Sequence, residues 1–143
     1  MISYPAEQVE ALVFVTGGDV QTSTAAGGSG VRVNPIRVGI AVLDSDVKYD
    51  QANMIVVGGP CANSAAAALL KNPVNCGEGF TAGNAIIKYF DTGNNVAILV
   101  AGYESQETQG ASRVLAQYSD YMLSGDEVEV TVTSLSQSGI KVK

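Results

Sequence analysis

At 143 residues, 46% of them hydrophobic and 16 of them glycine, the chain is long enough for one globular core and short for two. Only 15% of residues are charged, the formal net charge is -6 and the pI is near 4.4, a balance that repels phosphate backbones and anionic membrane surfaces. With no histidine, Ser-His-Asp and Cys-His catalysis and imidazole zinc sites are excluded within the chain, and two cysteines fall short of a four-cysteine zinc site.

The first apolar run, Val9 to Val15, is β-branched enough for a strand that Thr16-Gly17-Gly18-Asp19 ends. Residues 17–30 are small and polar and read as a flexible loop; they lack the G-x-x-x-x-G-K-[ST] pattern of a phosphate cradle. Ile36 to Leu43 is the second predicted strand. Asn53 to Val57 is a short continuous apolar run closed by Gly58-Gly59-Pro60, as expected of a parallel strand buried on both faces. A helix follows, capped by Asn63 or Ser64, built on Ala65 to Leu70 and stopped before Asn72-Pro73.

Thr81 is the predicted cap of a second helix through Tyr89 or Phe90, with Ile86, Ile87 and Phe90 on one side and Gly93 at its left-handed end. Asn95 to Ala101 reads as another buried strand. Glu104 to Met122 places Ala111, Val114, Leu115, Tyr118 and Met122 at helical spacing, and Gly125-Asp126 ends that helix. Glu127 to Thr133 alternates strictly, as a half-wet strand at a sheet edge does, and the last ten residues, 134–143, read as loosely held.

Taken in order, these elements predict an α/β fold in one domain spanning 1–143. Residues 53–133 form its three-layer Rossmann-like unit with a mainly parallel sheet, and the β-rich segment 1–43 adds amino-terminal strands at the edge. No apolar run reaches the roughly 20 residues that span a bilayer, and the first residues lack the charged and apolar regions of a signal peptide, so the chain as given reads as soluble, with no membrane insertion.

A family resemblance rests on paired turns. Val56-Val57-Gly58-Gly59-Pro60 with Asn63-Ser64, then Ile98-Leu99-Val100-Ala101-Gly102-Tyr103, then Glu107-Thr108 and Ala111-Ser112-Arg113-Val114-Leu115-Ala116-Gln117-Tyr118 resemble, in order and spacing, the carboxy-terminal domain of archaeal surface-layer (S-layer) proteins. Pro35 and Leu43-Asp44-Ser45-Asp46-Val47 resemble the segment that precedes the V-G-G-P strand. The resemblance covers roughly residues 31–133. Such domains are similar in outline to the Rossmann-like wall-binding repeats of bacteria. The resemblance implies an extracellular, non-catalytic component of a self-assembling cell-surface lattice, without cofactor. The chain departs from the family in its shortness and in having no N-x-[ST] sequon.

Chemical alternatives stand beside that reading. Gly58-Gly59-Pro60-Cys61 joins a strand to a helix, where α/β enzymes place a nucleophile or phosphate, yet the loop has neither histidine nor lysine to activate Cys61. Gly102-Tyr103 reads as a close turn with Tyr103 packing. Asp44, Asp46 and Asp50 offer oxygens suited to calcium, but EF-hand spacing fails, since Lys48 and Ile55 fall at ligand positions; a solvated turn is the simpler reading. Glu104 and Glu107 suit the start of a helix, where the dipole favours negative charge.

Cys61 and Cys76 bracket the Ala-rich helix and its exit loop. A disulfide between them fits the low-charge composition and the extracellular site that the resemblance implies; two buried thiols in a reducing cytosol are the alternative. Two functions follow. The first is a structural domain whose partners are copies of itself or other domains of the same surface protein; the second is a small-ligand or nucleotide-binding Rossmann-like domain, with or without enzymatic activity. The turn after Val57 reads G-G-P-C-A-N, not G-x-G-x-x-G.

Overall fold

The computed structural model describes residues 40–143, in which five strands and three helices follow in the order β1 (Met54–Val57), α1 (Ser64–Leu69), β2 (Asn84–Asp91), β3 (Val96–Gly102), α2 (Ser105–Ala116), α3 (Tyr118–Tyr121), β4 (Glu127–Val132) and β5 (Ile140–Val142). The predicted strand Val9 to Val15, the loop 17–30 and the start of the predicted strand Ile36 to Leu43 lie outside these residues. Residues 40–43 are not strand, and a 3-10 turn follows at Asp44–Asp46.

The strands form one sheet in the order β1-β3-β2-β4-β5. β1 runs parallel to β3, with Met54 opposite Ala97 and Val57 opposite Val100, while the β3-β2, β2-β4 and β4-β5 pairs are antiparallel. The expected Rossmann-like, mainly parallel sheet is therefore wrong: the sheet is mixed and mostly antiparallel. The cause is local. Asn84 to Asp91, read as a helix capped by Thr81, is strand β2, and it returns through Thr92 to Asn95 as a hairpin with β3. Gly93 serves that hairpin with φ +93°, and its N–H bonds the Asp91 carboxylate. Ile86, Ile87, Tyr89 and Phe90 are β-branched or aromatic, and Ala85 and Ile87 alternate into the core with a period of two. A strand satisfies both facts; a helix turns Ile86 and Ile87 toward one side and leaves the sheet without its central strand.

Successive residues of β3 face opposite sides, and each side carries a helix. Ala97, Leu99 and Ala101 pack with Val56 against Ala65, Ala66 and Leu69 of α1. Val100 packs on the other side with Ala85, Ile87, Val128, Val130, Val132 and Ile140 against Ala111 and Val114 of α2. Gly110 permits the close fit of that helix, because a β-carbon there would stand 2.5 Å from Val132 Cγ2.

Two further expectations change at the carboxyl end. The long helix stops at Ala116, and after the short α3 Met122 takes the left-handed conformation at φ 45°, so Tyr118 and Met122 are exposed and do not continue the apolar face. Strand β4 is no edge. Residues 134–143, expected to be loosely held, turn back through the 3-10 turn Gln137–Gly139 and pair β5 with β4, which buries Ile140. Among the described residues the outermost strands of the sheet are β1 and β5.

Candidate functional site

The motif residues converge where the parallel pair ends. At the end of β1, Gly58 takes φ +114° and its N–H donates to the Val100 carbonyl at 2.9 Å, so the turn is tied to β3 as it leaves the sheet. Asn63 then caps α1: its Oδ1 accepts from the N–H groups of Ala65 (2.9 Å) and Ala66 (3.2 Å), while its Nδ2 donates back to the Val57 carbonyl at 3.1 Å. The Ser64 N–H donates to Asp44 Oδ2 at 2.6 Å. Hydrogen bonding by the Ser64 side chain first, and by its backbone N–H second, holds the Asp44 carboxyl below its ordinary value of 3.8.

The second turn is closed in the same way. The Gly102 N–H donates to Thr108 Oγ1 at 2.9 Å, and that hydroxyl donates on to the Glu104 carbonyl. Glu107, buried, accepts the Glu104 N–H on Oε2 at 2.9 Å and completes a reciprocal capping box at the start of α2. Gly102 has no room for a side chain, since a β-carbon would meet the Thr108 nitrogen at 2.6 Å. Tyr103 lays its ring against Gly77. Cys61 and Cys76 are joined in a disulfide, Cα atoms 5.4 Å apart, which ties the start of α1 to the loop after it.

These contacts decide what the turns can do. In an open α/β sheet a ligand sits beyond the carboxyl ends of the strands, against free N–H groups at helix starts. Here Asn63 and Asp44 occupy the start of α1, and Glu104 and Glu107 occupy the start of α2. A phosphate would have to displace the chain's own carboxylates. Cys61 is spent in the disulfide and is no nucleophile.

The Asp44, Asp46 and Asp50 group is separated by use. Asp44 serves α1, Asp46 accepts from Ser45, and Asp50 offers its backbone carbonyl to Asn95. Among the described residues no group of three or more acidic or cysteine side chains is placed to hold a metal ion. A shallow groove of about 200 Å³ over β2 and β4 is lined by Phe80, Thr81, Asn84, Ile86, Glu127 and Glu129. Its carboxylates are already engaged: Glu127 with Lys88 at 2.6 Å, Glu129 with Asn84 at 2.6 Å and Lys143 at 3.0 Å. The roles of Asp44 and Thr108 are not legible in the sequence alone. Asp44 acts across 20 residues, with no local signature, whereas Thr108 four residues after Glu104 is a spacing that helix geometry could have suggested.

Fold and turns together define a class: a small mixed-sheet domain whose motif residues hold the backbone where the strands end. The chain matches the S-layer like family, outer domain, over residues 15–119, and it belongs to that family. It is thus a structural domain of the cell surface, extracellular in location. Comparison with curated proteins and with solved structures returned no match. No helix among the described residues is long and apolar enough to cross a membrane.

Proposed function

We propose that this chain acts as a packing domain of an extracellular surface layer, associating with copies of itself or with other domains of the same surface protein and performing no catalysis. The observation that carries this reading is the family match over residues 15–119, which includes both turn motifs. The geometry supports it, because both helix starts at the strand ends are filled by Asn63, Asp44, Glu104 and Glu107. About a quarter of the chain is Ser, Thr, Asn or Gln, groups that are less costly to desolvate in a contact than a free charge. Electron microscopy of the purified chain, with and without calcium, tests the reading. Sheets or regular filaments are the expected result; a strict monomer at high concentration that binds a nucleotide tightly would reverse it.

A further inference from the structure

The two faces of the sheet are covered unequally. On one face α2 reaches β2, β3 and β4. On the other, the six-residue α1 packs on β1 and β3, with Ile86 and Phe90 half-buried at its border. Strand alternation turns Asn84 and Lys88 of β2, with Glu127, Glu129 and Thr131 of β4, away from α2, and among the described residues no helix lies over them. The loop before β2 brings Phe80 and Thr81 alongside and encloses a groove of about 200 Å³ with Ile86 in its lining. The Cys61–Cys76 disulfide holds the start of that loop, and the Asn84 N–H donates to the Thr81 carbonyl at 3.0 Å at its end. The groove is preformed.

The ion pairs around the groove hold its carboxylates in place without saturating them. A carboxylate offers about four acceptor positions. Glu129 uses Oε1, toward Asn84 and Lys143, and Glu127 uses Oε2, toward Lys88. Glu129 Oε2, Glu127 Oε1 and Asn84 Oδ1 accept no hydrogen bond among the described residues. What remains is acceptor capacity, so a fitting ligand brings hydrogen-bond donors. Its charge follows from the same pairs. Lys88 and Lys143 balance Glu127 and Glu129, so a phosphate would meet two carboxylates and a metal ion two ammonium groups, whereas a neutral ligand meets neither penalty. Strands β2 and β4 are inner strands, paired on both sides, and offer a peptide no backbone edge. The apolar runs before residue 40, Val9 to Val15 and Ile36 onward, would bury these four charges without replacing the water they hold.

We propose that this groove binds a saccharide, a neutral ligand whose rim of hydroxyls donates to Glu127, Glu129 and Asn84 while the C–H face of its ring lies against Phe80 and Ile86. A volume of about 200 Å³ falls below the roughly 300–1,000 Å³ of sites for drug-sized ligands and suits a single sugar ring. The site is independent of the self-association proposed above, and either reading can fail without the other.

The test is amide NMR of the 143-residue chain, titrated separately with glucose, galactose, mannose and N-acetylglucosamine. The expected result is saturable shifts at Thr81, Asn84 and Glu129 with at least one of them, while Ile55 and Val142 stay unmoved. Asn84→Ala and Glu129→Gln should each weaken that binding by about tenfold, as the loss of one hydrogen bond does. Tyr118→Ala, at an exposed site on α3, leaves it unchanged. If Asn84→Ala fails to fold, Glu129→Gln and the shifts of the unaltered chain decide. A linear trisaccharide that binds more tightly than its monomer marks a chain glycan as the ligand and equal affinity marks a free sugar; either result upholds the site. Sodium phosphate or calcium chloride producing the same saturable shifts overturns the ligand class. No saturable shift with any of the four sugars, the outcome if the groove is filled from within the chain, overturns the proposal.

Discussion

Gly102 and Gly59 sit on adjoining turns, yet they answer differently to an added methyl group. A β-carbon at Gly102 would stand 2.6 Å from the Thr108 nitrogen, a backbone atom locked into α2, whereas at Gly59 the nearest atom is the Gly102 carbonyl oxygen at 4.0 Å. Gly102→Ala is therefore expected to cost about 1–3 kcal/mol or more, and Gly59→Ala to lie near zero, by denaturant melts of the two variants. Asp44 supplies a pH signature. Its folded value lies below the ordinary 3.8 because it accepts hydrogen bonds from the Ser64 side chain and backbone, so its contribution is complete above pH 3.8 and is lost as the pH falls further, toward the folded value. The melting temperatures of the native chain and of Asp44→Asn should differ above that pH and converge below it; a constant difference would remove Asp44 from the account.

At the scale of elements, the six-residue helix α1 is too short to persist without help from its surroundings. Asn63 caps it, Leu69 anchors it on β3, and the disulfide across 15 positions holds its start to the loop beyond. Closing a loop of that size contributes roughly 3 kcal/mol in the chain-entropy model. Reduction should lower the melting temperature by roughly 10 °C, and intact mass should show the native protein lighter than its reduced form by two hydrogens. Readily alkylated thiols in the folded protein would contradict this. The cap and the helix are legible in the sequence because both signals are local: Asn63 stands just before an alanine run. Strand β2 reads as a helix because Thr81, the Ile86-Ile87 pair and Gly93 satisfy helix rules locally, while what decides the matter is pairing with β3 and β4, segments that come later in the chain. The same distance hides β5, whose three residues have no pattern of their own and form a strand only because β4 offers an edge.

For the whole molecule, net charge and surface contact act against each other. Copies of charge -6 repel, and screening that repulsion should strengthen an association made through uncharged surface. Raising the salt from about 0.01 M to about 0.15 M shortens the screening length from about 30 Å to about 8 Å, and sedimentation should show tighter association at the higher salt. Weaker association would mean that opposite charges, such as the Lys143 and Glu129 region, make the contact instead. The turn motifs are legible as a pair because each joins glycine to an apolar strand end. Their work is not, since a glycine turn suits a ligand cradle and a closed cap equally until the positions of Asn63, Asp44 and Glu107 are known.

The family match ends at residue 119, inside α3, but the core on the α2 side does not. Val128, Val130, Val132 and Ile140 supply nearly half of its buried residues, all of them beyond that point. The stretch by which the chain is recognised thus ends before the stretch that folds does. Trimmed after Ser119, the protein would bare the whole flank of β2 that β4 now covers and leave Ala111 and Val114 facing water where valines had been. Such a fragment should appear as an aggregate or as a molten species binding hydrophobic dye, while a sharp melt from it would show that the last two strands are ornament.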